Sequence, residues 1–411
     1  MKSLRQGQLK KDVVRQLYFR GELSSAELSQ LTGKSLPLVS SALSALVASG
    51  YVVEHGLAPS TGGRRPVNYQ LNRKKKKYIV AVAMDQLYTR IVVYDLLNHA
   101  VAPETRFSFP LAGPDSSIDV LAGRISEAVR GANVKPDQVL GVGIGMPGFI
   151  NIDRGINESF LPVEEEEGSL LEALSRRLGL PVYIDNDSSA IAMAELRYGA
   201  ARGRHDVMVV NVGWGIGLGM IVNGELFRGH QGYAGEFSHI PLSDSSKLCA
   251  CGKRGCMEVE ASLLVVLENA KAAMRAGTTS MLERLFEEDD RPEGDILLDA
   301  AVKGDPLAVT SLSDAASIIG KGLATLIHIM NPERIVLSGR GAVAGKILLA
   351  PVYRAINEFC IPKLAEQTEI VASELGRDAE LLGAAILVME NCQLDDSPVA
   401  TIAAPDLPIN K

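Results

Sequence analysis

Apolar residues in the first fifty positions recur every three to four residues, which is the period of an α-helix. Ser24, followed three residues later by Glu27, is a capping-box pattern that predicts the start of a helix ending at Gly33. Ser35 and Pro37 predict the start of the next helix. The apolar stripes of the first and third helices are Leu9, Val13, Leu17 and Tyr18, then Val39, Leu43, Leu46 and Val47. The spacing is typical of a helix-turn-helix unit.

The period then changes to two, which predicts strands at residues 51–53 and 67–71 around the loop HGLAPSTGGRRP. A winged helix results, with arginines at the tip of the wing, where they would gain from the negative potential of a narrow minor groove. The third helix carries short outward side chains that suit base edges in a major groove. The candidate DNA-contacting residues are Lys34, Leu38, Ser40, Ser41, Ser44, Arg64 and Arg65. A three-helix protein-interaction module with a solvated basic loop is the alternative.

Charge is distributed unevenly along the 411 residues, whose net charge is −7. Residues 1–77 hold fourteen Lys or Arg against four Asp or Glu, and the remainder holds twenty-eight against forty-five. A basic end on an acidic chain indicates a polyanion partner such as DNA. The composition is otherwise that of an ordinary globular protein, and no apolar run reaches membrane-spanning length.

From residue 78 the chain changes to short apolar strands, at 78–84, 90–96 and 139–145, with a helix near 116–130. A similar strand-turn-strand pattern returns at 207–227, where Asn223 and Gly224 form a tight hairpin signal. The pattern predicts an α/β fold built from two related halves.

Three of the five cysteines, Cys249, Cys251 and Cys256, crowd into one glycine-containing turn, and His239 precedes them by ten residues. These four side chains predict a closed Cys₃His tetrahedron, which suits structural zinc. Scattered buried cysteines and disulfides are the alternatives. The odd cysteine count and the lack of a recognisable signal peptide predict a reducing, cytoplasmic location.

Two acids flank this turn. Glu236 lies one helical turn before His239, and Glu258 lies two residues after Cys256. Folding of the zinc loop would bring both carboxylates to the imidazole, and such a group accepts hydrogen bonds from sugar hydroxyls. The alternative is a solvated acidic face beside Lys253 and Arg254.

The segments GEFSH and CACGKRGCME resemble the G-E-x-G-H and C-x-C-G-x-x-G-C-x-E signature of the ROK family of bacterial repressors and sugar kinases, with Ser238 in place of a glycine. The resemblance implies a two-lobed, actin-like and ribonuclease-H-like α/β fold that holds a sugar between its lobes. The N-terminal winged helix-turn-helix resembles that of the family's repressors, and its kinases lack such a unit. The implied domains are residues 1–77, 78–392 (first lobe about 78–186 plus the C-terminal helix, second lobe about 187–375) and a tail at 393–411.

Asn186 and Asp187 match the family's Asn-Asp pair. In a kinase Asp187 would be the general base, whereas in a repressor it would accept a sugar hydroxyl. The pair could also be a helix cap. The implied sugar-binding set is Asn186, Asp187, Glu236, His239 and Glu258, and Asn157 or Glu158 could add a contact.

The kinases' phosphate turns, D-x-G-G-T and G-T-G, are altered here. Leu87 and Tyr88 replace two glycines, and Trp214 replaces the threonine. These changes favour a non-enzymatic protein. Together with the winged helix-turn-helix, the resemblance implies a sugar-responsive repressor of carbohydrate-utilisation genes. Palindromic half-sites in operator DNA would match a homodimer or homotetramer. An ATP-dependent sugar kinase with an appended DNA-binding unit is the alternative, and a protein scaffold without sugar affinity is a third interpretation.

Overall fold

The computed structural model describes residues 2–57, 67–113, 116–243 and 245–394, with only the backbone of residues 2–6 and 57. At the N-terminus, three helices and a three-stranded antiparallel sheet of order β1-β3-β2 form a unit that we call the headpiece. Its helices are α1 (Lys2–Arg20), α2 (Ser25–Thr32) and α3 (Leu36–Ala48), and its strands are β1 (Leu23–Ser24), β2 (Val52–Leu57) and β3 (Val67–Leu71).

Local sequence signals determine the headpiece helices. The predicted capping box at Ser24 is confirmed, because its hydroxyl accepts from the Glu27 N–H at 3.3 Å and its own N–H donates to the Glu27 carboxylate at 2.8 Å. Gly33 ends α2 with a left-handed φ of 64°. Ser35 lies at the N-cap of α3, but its side chain accepts no helix N–H. Arg64 and Arg65, predicted at the wing tip, lie outside the described residues.

Two five-stranded sheets with the same topology follow, as the sequence pattern predicts. Along the chain, the first three strands of each sheet are antiparallel neighbours, and the last two strands are parallel to the first. The spatial orders are β10-β7-β4-β5-β6 and β13-β12-β11-β14-β15. The first lobe contains β4 (Tyr78–Met84), β5 (Tyr88–Asp95), β6 (Thr105–Ser108), β7 (Val139–Met146), the small pair β8 (Ile150–Asn151) and β9 (Ile156–Asn157), and β10 (Val182–Asn186). The second lobe contains β11 (Val207–Val212), β12 (Ile216–Val222), β13 (Glu225–Phe227), β14 (Arg334–Ser338) and β15 (Glu369–Ala372). Asn223 and Gly224 join β12 to β13 with positive φ values of 54° and 78°, so the hairpin prediction is confirmed.

Helices cover both sheets. They are α4 (Ile118–Gly131), α5 (Leu170–Leu178), α6 (Asp187–Tyr198), α7 (Glu258–Ala261), α8 (Leu263–Arg275), α9 (Leu282–Glu288), α10 (Glu293–Val302), α11 (Pro306–Met330), α12 (Gly345–Phe359), α13 (Pro362–Ala365) and α14 (Asp378–Asn391). The predicted two-lobed α/β fold is confirmed. The C-terminal helix α14 returns to pack on β4, β7 and α6.

One apolar core joins the headpiece to this part of the fold. It contains Leu17, Tyr18 and Phe19 of α1 together with buried residues of α6 and α14. Among the described residues, no single helix is long and apolar enough to cross a membrane. One pair bent by 114°, α2 with α3, reaches that length and composition, and its apolar face is buried in the core.

Gly383 sets the distance between α14 and α6. A Cβ at this position would lie 2.3 Å from the carbonyl oxygen of Ala190, so only glycine allows the two helices to approach this closely. We expect Gly383→Ala to destabilise the protein by about 1–3 kcal/mol through overpacking, measured by urea unfolding. Gly123→Ala, inside α4 where a Cβ would have no neighbour within 4 Å, is the control and should be neutral or stabilising. Equal stability of the two variants would contradict the close-packing argument.

Candidate functional site

A cleft of about 770 Å³ lies between the two lobes. Its walls come from the β4–β5 and β11–β12 turns, the start of α6, the segment before the cysteine turn, and α7. The five predicted sugar-binding residues all line this cleft, and they are Asn186, Asp187, Glu236, His239 and Glu258.

Asp187 is the first residue of α6, directly after β10. Asn211 donates to its Oδ2 at 3.3 Å. Burial raises the pKa of Asp187 to about 6, and the negative charges of Glu380 and Asp85 add to the rise. A carboxylate in this setting gains from any hydroxyl that donates to it.

Asn186 caps the N-terminus of α6. A helix cap was the alternative interpretation of the Asn186–Asp187 pair. Its Oδ1 accepts from the N–H groups of Ser188 and Ser189 at 2.9 and 3.2 Å, and its Nδ2 donates to the Gly148 carbonyl at 3.2 Å. Asn186 therefore positions Asp187 as well as facing the cleft.

Glu258 faces Asp187 from the second lobe. Burial raises the pKa of Glu258 to about 7, and the negative charges of Asp187 and Glu236 add to the rise. Hydrogen bonds from the Ile216 N–H and the Ser238 hydroxyl oppose it. The Ile216 N–H donates to Glu258 Oε2 at 2.9 Å. Ser238, which departs from the family pattern, is buried in a 3₁₀ turn and points its hydroxyl at this carboxylate.

His239 connects the cleft to the cysteine turn. Its Nδ1 lies 3.6 Å from Cys249 Sγ, while its Nε2 lies 3.6 Å from Glu236 Oε2. Partial burial raises the pKa of Glu236 and lowers that of His239. One imidazole nitrogen therefore faces the sulfurs, and the other faces the cleft.

The sulfurs of Cys249, Cys251 and Cys256 and a ring nitrogen of His239 all lie within 4.8 Å of one another. Cys251 and Cys256 are separated by 3.6 Å between sulfurs. A tetrahedral zinc with Zn–S bonds of about 2.3 Å requires sulfurs roughly 3.8 Å apart. The four residues thus fit a structural zinc ion, which would hold the loop that carries Glu236 and Glu258.

The other end of the cleft contains a polar network that the sequence did not predict. Arg340 donates to Asp85 Oδ2 at 2.7 Å and to Asp295 Oδ1 at 2.5 Å, and the Trp214 indole N–H donates to the same Asp85 oxygen at 3.1 Å. The Arg340 guanidinium lies 5.1 Å from the Trp214 ring. The ring can take this position only because Gly294 has no Cβ, which would lie 2.4 Å from Trp214 Cη2. No sequence motif marks Arg340 or Asp295, because their partners are distant in the chain.

Near the mouth of the cleft, Asn157 and Glu158 have different roles. Asn157 donates to the Pro147 carbonyl and accepts from the N–H groups of Ser159 and Phe160, so its side chain is occupied in shaping the loop. Glu158 lines the cleft instead.

An aromatic pair that sequence reasoning also missed lines the same region. Phe149 and Tyr233 come from opposite lobes and meet edge-to-face with centroids 5.5 Å apart.

On the headpiece, the predicted base-facing residues lie on the outer surface. Leu38 has 55% of its surface exposed, and Lys34, Ser40, Ser41 and Ser44 are exposed too. The Ser44 hydroxyl donates to the Ser40 carbonyl at 3.0 Å. Their contacts with DNA stay predictions, as do those of Arg64 and Arg65.

A sequence model of the ROK family matches residues 104–391. The chain belongs to the ROK family. Among its relatives is a xylose repressor of Caldicellulosiruptor bescii, 29% identical over 371 residues that cover 90% of this chain and 92% of the relative.

Solved structures of ROK proteins share the fold. A ROK transcriptional regulator, described as a homologue of the E. coli MLC protein, has a TM-score of 0.72 and 23% identity over 94% of this chain and 96% of its own. A ROK glucokinase from Streptomyces griseus, solved with glucose and AMPPNP, has a TM-score of 0.65 and 28% identity, over 76% of this chain and 100% of its own. Both branches of the ROK family therefore resemble this chain, but the regulator matches more of it.

The metal prediction can be tested directly. We expect Cys256→Ser to lose zinc, measured by elemental analysis at about one ion per wild-type chain, and to lower the melting temperature, because the ion stabilises the folded state only. Cys360→Ser, another buried cysteine outside the cluster, should retain the metal. A wild-type chain purified with added zinc but containing none would contradict the prediction.

Proposed function

We propose that this ROK protein is a sugar-responsive transcriptional repressor of carbohydrate-utilisation genes. The headpiece would bind operator DNA, and a sugar in the cleft would weaken that binding. One observation carries the proposal: α6 begins at Asp187 in the cleft and ends at Tyr198 against the headpiece. This helix of 12 residues, about 18 Å long, links the sensing site to the DNA-binding unit.

Contacts at the far end of α6 are extensive. The Tyr198 ring lies 6.5 and 6.1 Å from the rings of Tyr18 and Phe19 of α1, and the Arg197 guanidinium lies 4.7 Å from Phe19. Asn98 bridges the two tyrosines, accepting from the Tyr18 hydroxyl and donating to the Tyr198 hydroxyl at 3.1 Å. A shift of α6 would therefore disturb α1.

A second tie runs through α14. Glu390 pairs with Arg197 of α6 at 2.9 Å and with Arg15 of α1 at 3.9 Å. Sugar binding that favours one arrangement of α6 and α14 would favour one orientation of the headpiece. Operator affinity would then change by at most the ratio of the sugar's affinities for the two arrangements.

The relatives support this function and suggest where to begin. The C. bescii xylose repressor aligns with 90% of this chain, so xylose is the first sugar to test. We further propose a homodimer or homotetramer, because two-fold symmetric regulators match palindromic half-sites. Sedimentation equilibrium would measure the state.

A sugar kinase is the second candidate, and Asp187 favours it because a general base would occupy this position. The opposite end of the cleft favours the regulator. Trp214 is 3% exposed where the kinase pattern has a small hydroxyl residue, and it lies in the Asp85–Arg340 network. A nucleotide phosphate would have to displace these buried, paired groups.

Operator binding tests the proposal. Zinc-loaded protein would be titrated onto DNA from its own and neighbouring sugar-utilisation promoters, with xylose, glucose or N-acetylglucosamine, while ATP consumption is followed. We expect one sugar to weaken binding by about tenfold to a hundredfold, the usual range of allosteric coupling, without ATP turnover. The emission of Trp214, the single tryptophan, should not respond to ATP.

Sugar-dependent ATP hydrolysis would contradict the proposal, since it would mean that Leu87, Tyr88 and Trp214 leave room for phosphates. Specific DNA binding without affinity for any sugar would instead favour the scaffold interpretation.

The α6 link makes a separate prediction. Tyr198→Phe keeps the ring contacts and removes the hydroxyl that accepts from Asn98. We expect calorimetry to give unchanged sugar affinity, whereas the sugar-induced loss of operator affinity should shrink by about fivefold, as for one net hydrogen bond. Tyr353→Phe, which loses a hydrogen bond to the Ile370 carbonyl in the second lobe, is the control and should respond like wild type. Identical responses of both variants would exclude this route.

A further inference from the structure

The cleft is strongly acidic. Among the described residues that line it, Arg340 is the single Lys or Arg. Six carboxylates line the same space, and they are Asp85, Glu158, Asp187, Glu236, Glu258 and Glu380. The excess of negative charge bears directly on which ligands can enter.

Among the described residues, only two of these acids have a Lys or Arg partner, while Glu236 lies 3.6 Å from His239 Nε2. Asp85 pairs with Arg340 at 2.7 Å, and Glu380 pairs with Arg90 at 3.2 Å. The remaining four acids form no ion pair with a described Lys or Arg. A zinc ion held by three thiolates would carry net negative charge, so the metal site would not compensate them.

Arg340 is already engaged by two carboxylates. Its two terminal nitrogens donate to Asp85 and Asp295, its face lies over Trp214, and its side chain is 4% exposed. A phosphate would have to compete with these buried ion pairs for the guanidinium.

Several backbone donors of the two turns are occupied as well. In the β4–β5 turn, the N–H groups of Leu87 and Tyr88 both donate to Asp85 Oδ1 at 2.7 Å. In the β11–β12 turn, the Gly213 N–H donates to the Gly215 carbonyl at 2.9 Å, and the Ile216 N–H donates to Glu258.

The start of α6, another usual place for a phosphate, is filled by its own cap. The N–H groups of Ser188 and Ser189 donate to Asn186. Six amide groups at these three places are thus already hydrogen-bonded within the chain, and they belong to Leu87, Tyr88, Gly213, Ile216, Ser188 and Ser189.

We propose that the cleft takes an unphosphorylated sugar and rejects the phosphate esters of that sugar. This inference rests on the proposed function and names its ligand class. Hydroxyl donors satisfy the four carboxylates that have no Lys or Arg partner, whereas a phosphate dianion would meet like charges. The repressor therefore responds to the substrate of a sugar-phosphorylating reaction, before the phosphate is added, and not to its product.

Isothermal titration calorimetry with pairs of a sugar and its phosphate ester tests whether the cleft rejects the ester. The zinc-loaded full chain is titrated with xylose and xylose 5-phosphate, glucose and glucose 6-phosphate, and N-acetylglucosamine and its 6-phosphate. We expect the sugar that binds to lose about a hundredfold or more in affinity as its phosphate ester, since like-charge juxtaposition costs several kcal/mol. The same ester should fail to release operator DNA.

A charge-reversal variant tests the cause. Glu158 is exposed and lines the mouth of the cleft, so Glu158→Lys should fold normally. It should raise the affinity for the phosphate ester by about tenfold relative to wild type, with a smaller effect on the neutral sugar. Glu164→Lys makes the same charge change at an exposed position outside the cleft and should change neither affinity.

The outcomes separate the two proposals. A phosphate ester that binds as tightly as its parent sugar, or more tightly, and releases the operator would overturn this inference and leave the repressor function standing. Absence of binding by every sugar and every ester would overturn both.

Discussion

A buried guanidinium must be paired, and Arg340 imposes that constraint on the whole cleft. Its side chain is 4% exposed, and its partners are Asp295 in its own lobe and Asp85 in the opposite lobe. Since Asp295 is fully buried, neither group can be left alone without a large cost. The pairing holds the two lobes together at the end of the cleft that contains Trp214.

A second ion pair crosses the lobes near the sugar end. Arg228, just after β13, donates to both oxygens of Asp185 in β10 at 2.8 and 2.6 Å. Asp185 directly precedes the Asn186 cap and Asp187. Charges that hold the framework are therefore paired, while four of the carboxylates that line the cleft have no described Lys or Arg partner. Burial raises the pKa of Asp187 to about 6. A bound hydroxyl would replace the water that this buried carboxylate has lost.

Features encoded by neighbouring residues could be predicted from the sequence. The Ser24 capping box, the Asn223–Gly224 hairpin and the cysteine turn each depend on residues within a few positions, so their geometry follows from local rules. The Arg340 network could not be predicted, because 255 positions separate Arg340 from Asp85 and 45 separate it from Asp295. Asn157 illustrates a different limit: residue type suggested a sugar contact, but backbone groups occupy its side chain.

The cleft and the headpiece are connected by α6, which contacts the cleft at its first residue and the headpiece at its last. Asp187 at the start of α6 can respond to a ligand, and Tyr198 at its end can respond to DNA only if the helix moves as a unit. Close packing at Gly383 favours such motion, because a helix in tight contact with α14 shifts with it and does not deform locally. The ion pair between the lobes also bears on which ligand can change operator affinity. The Asp85–Arg340 ion pair joins the two lobes without a nucleotide. The sugar alone would therefore supply the difference in binding free energy that moves α6.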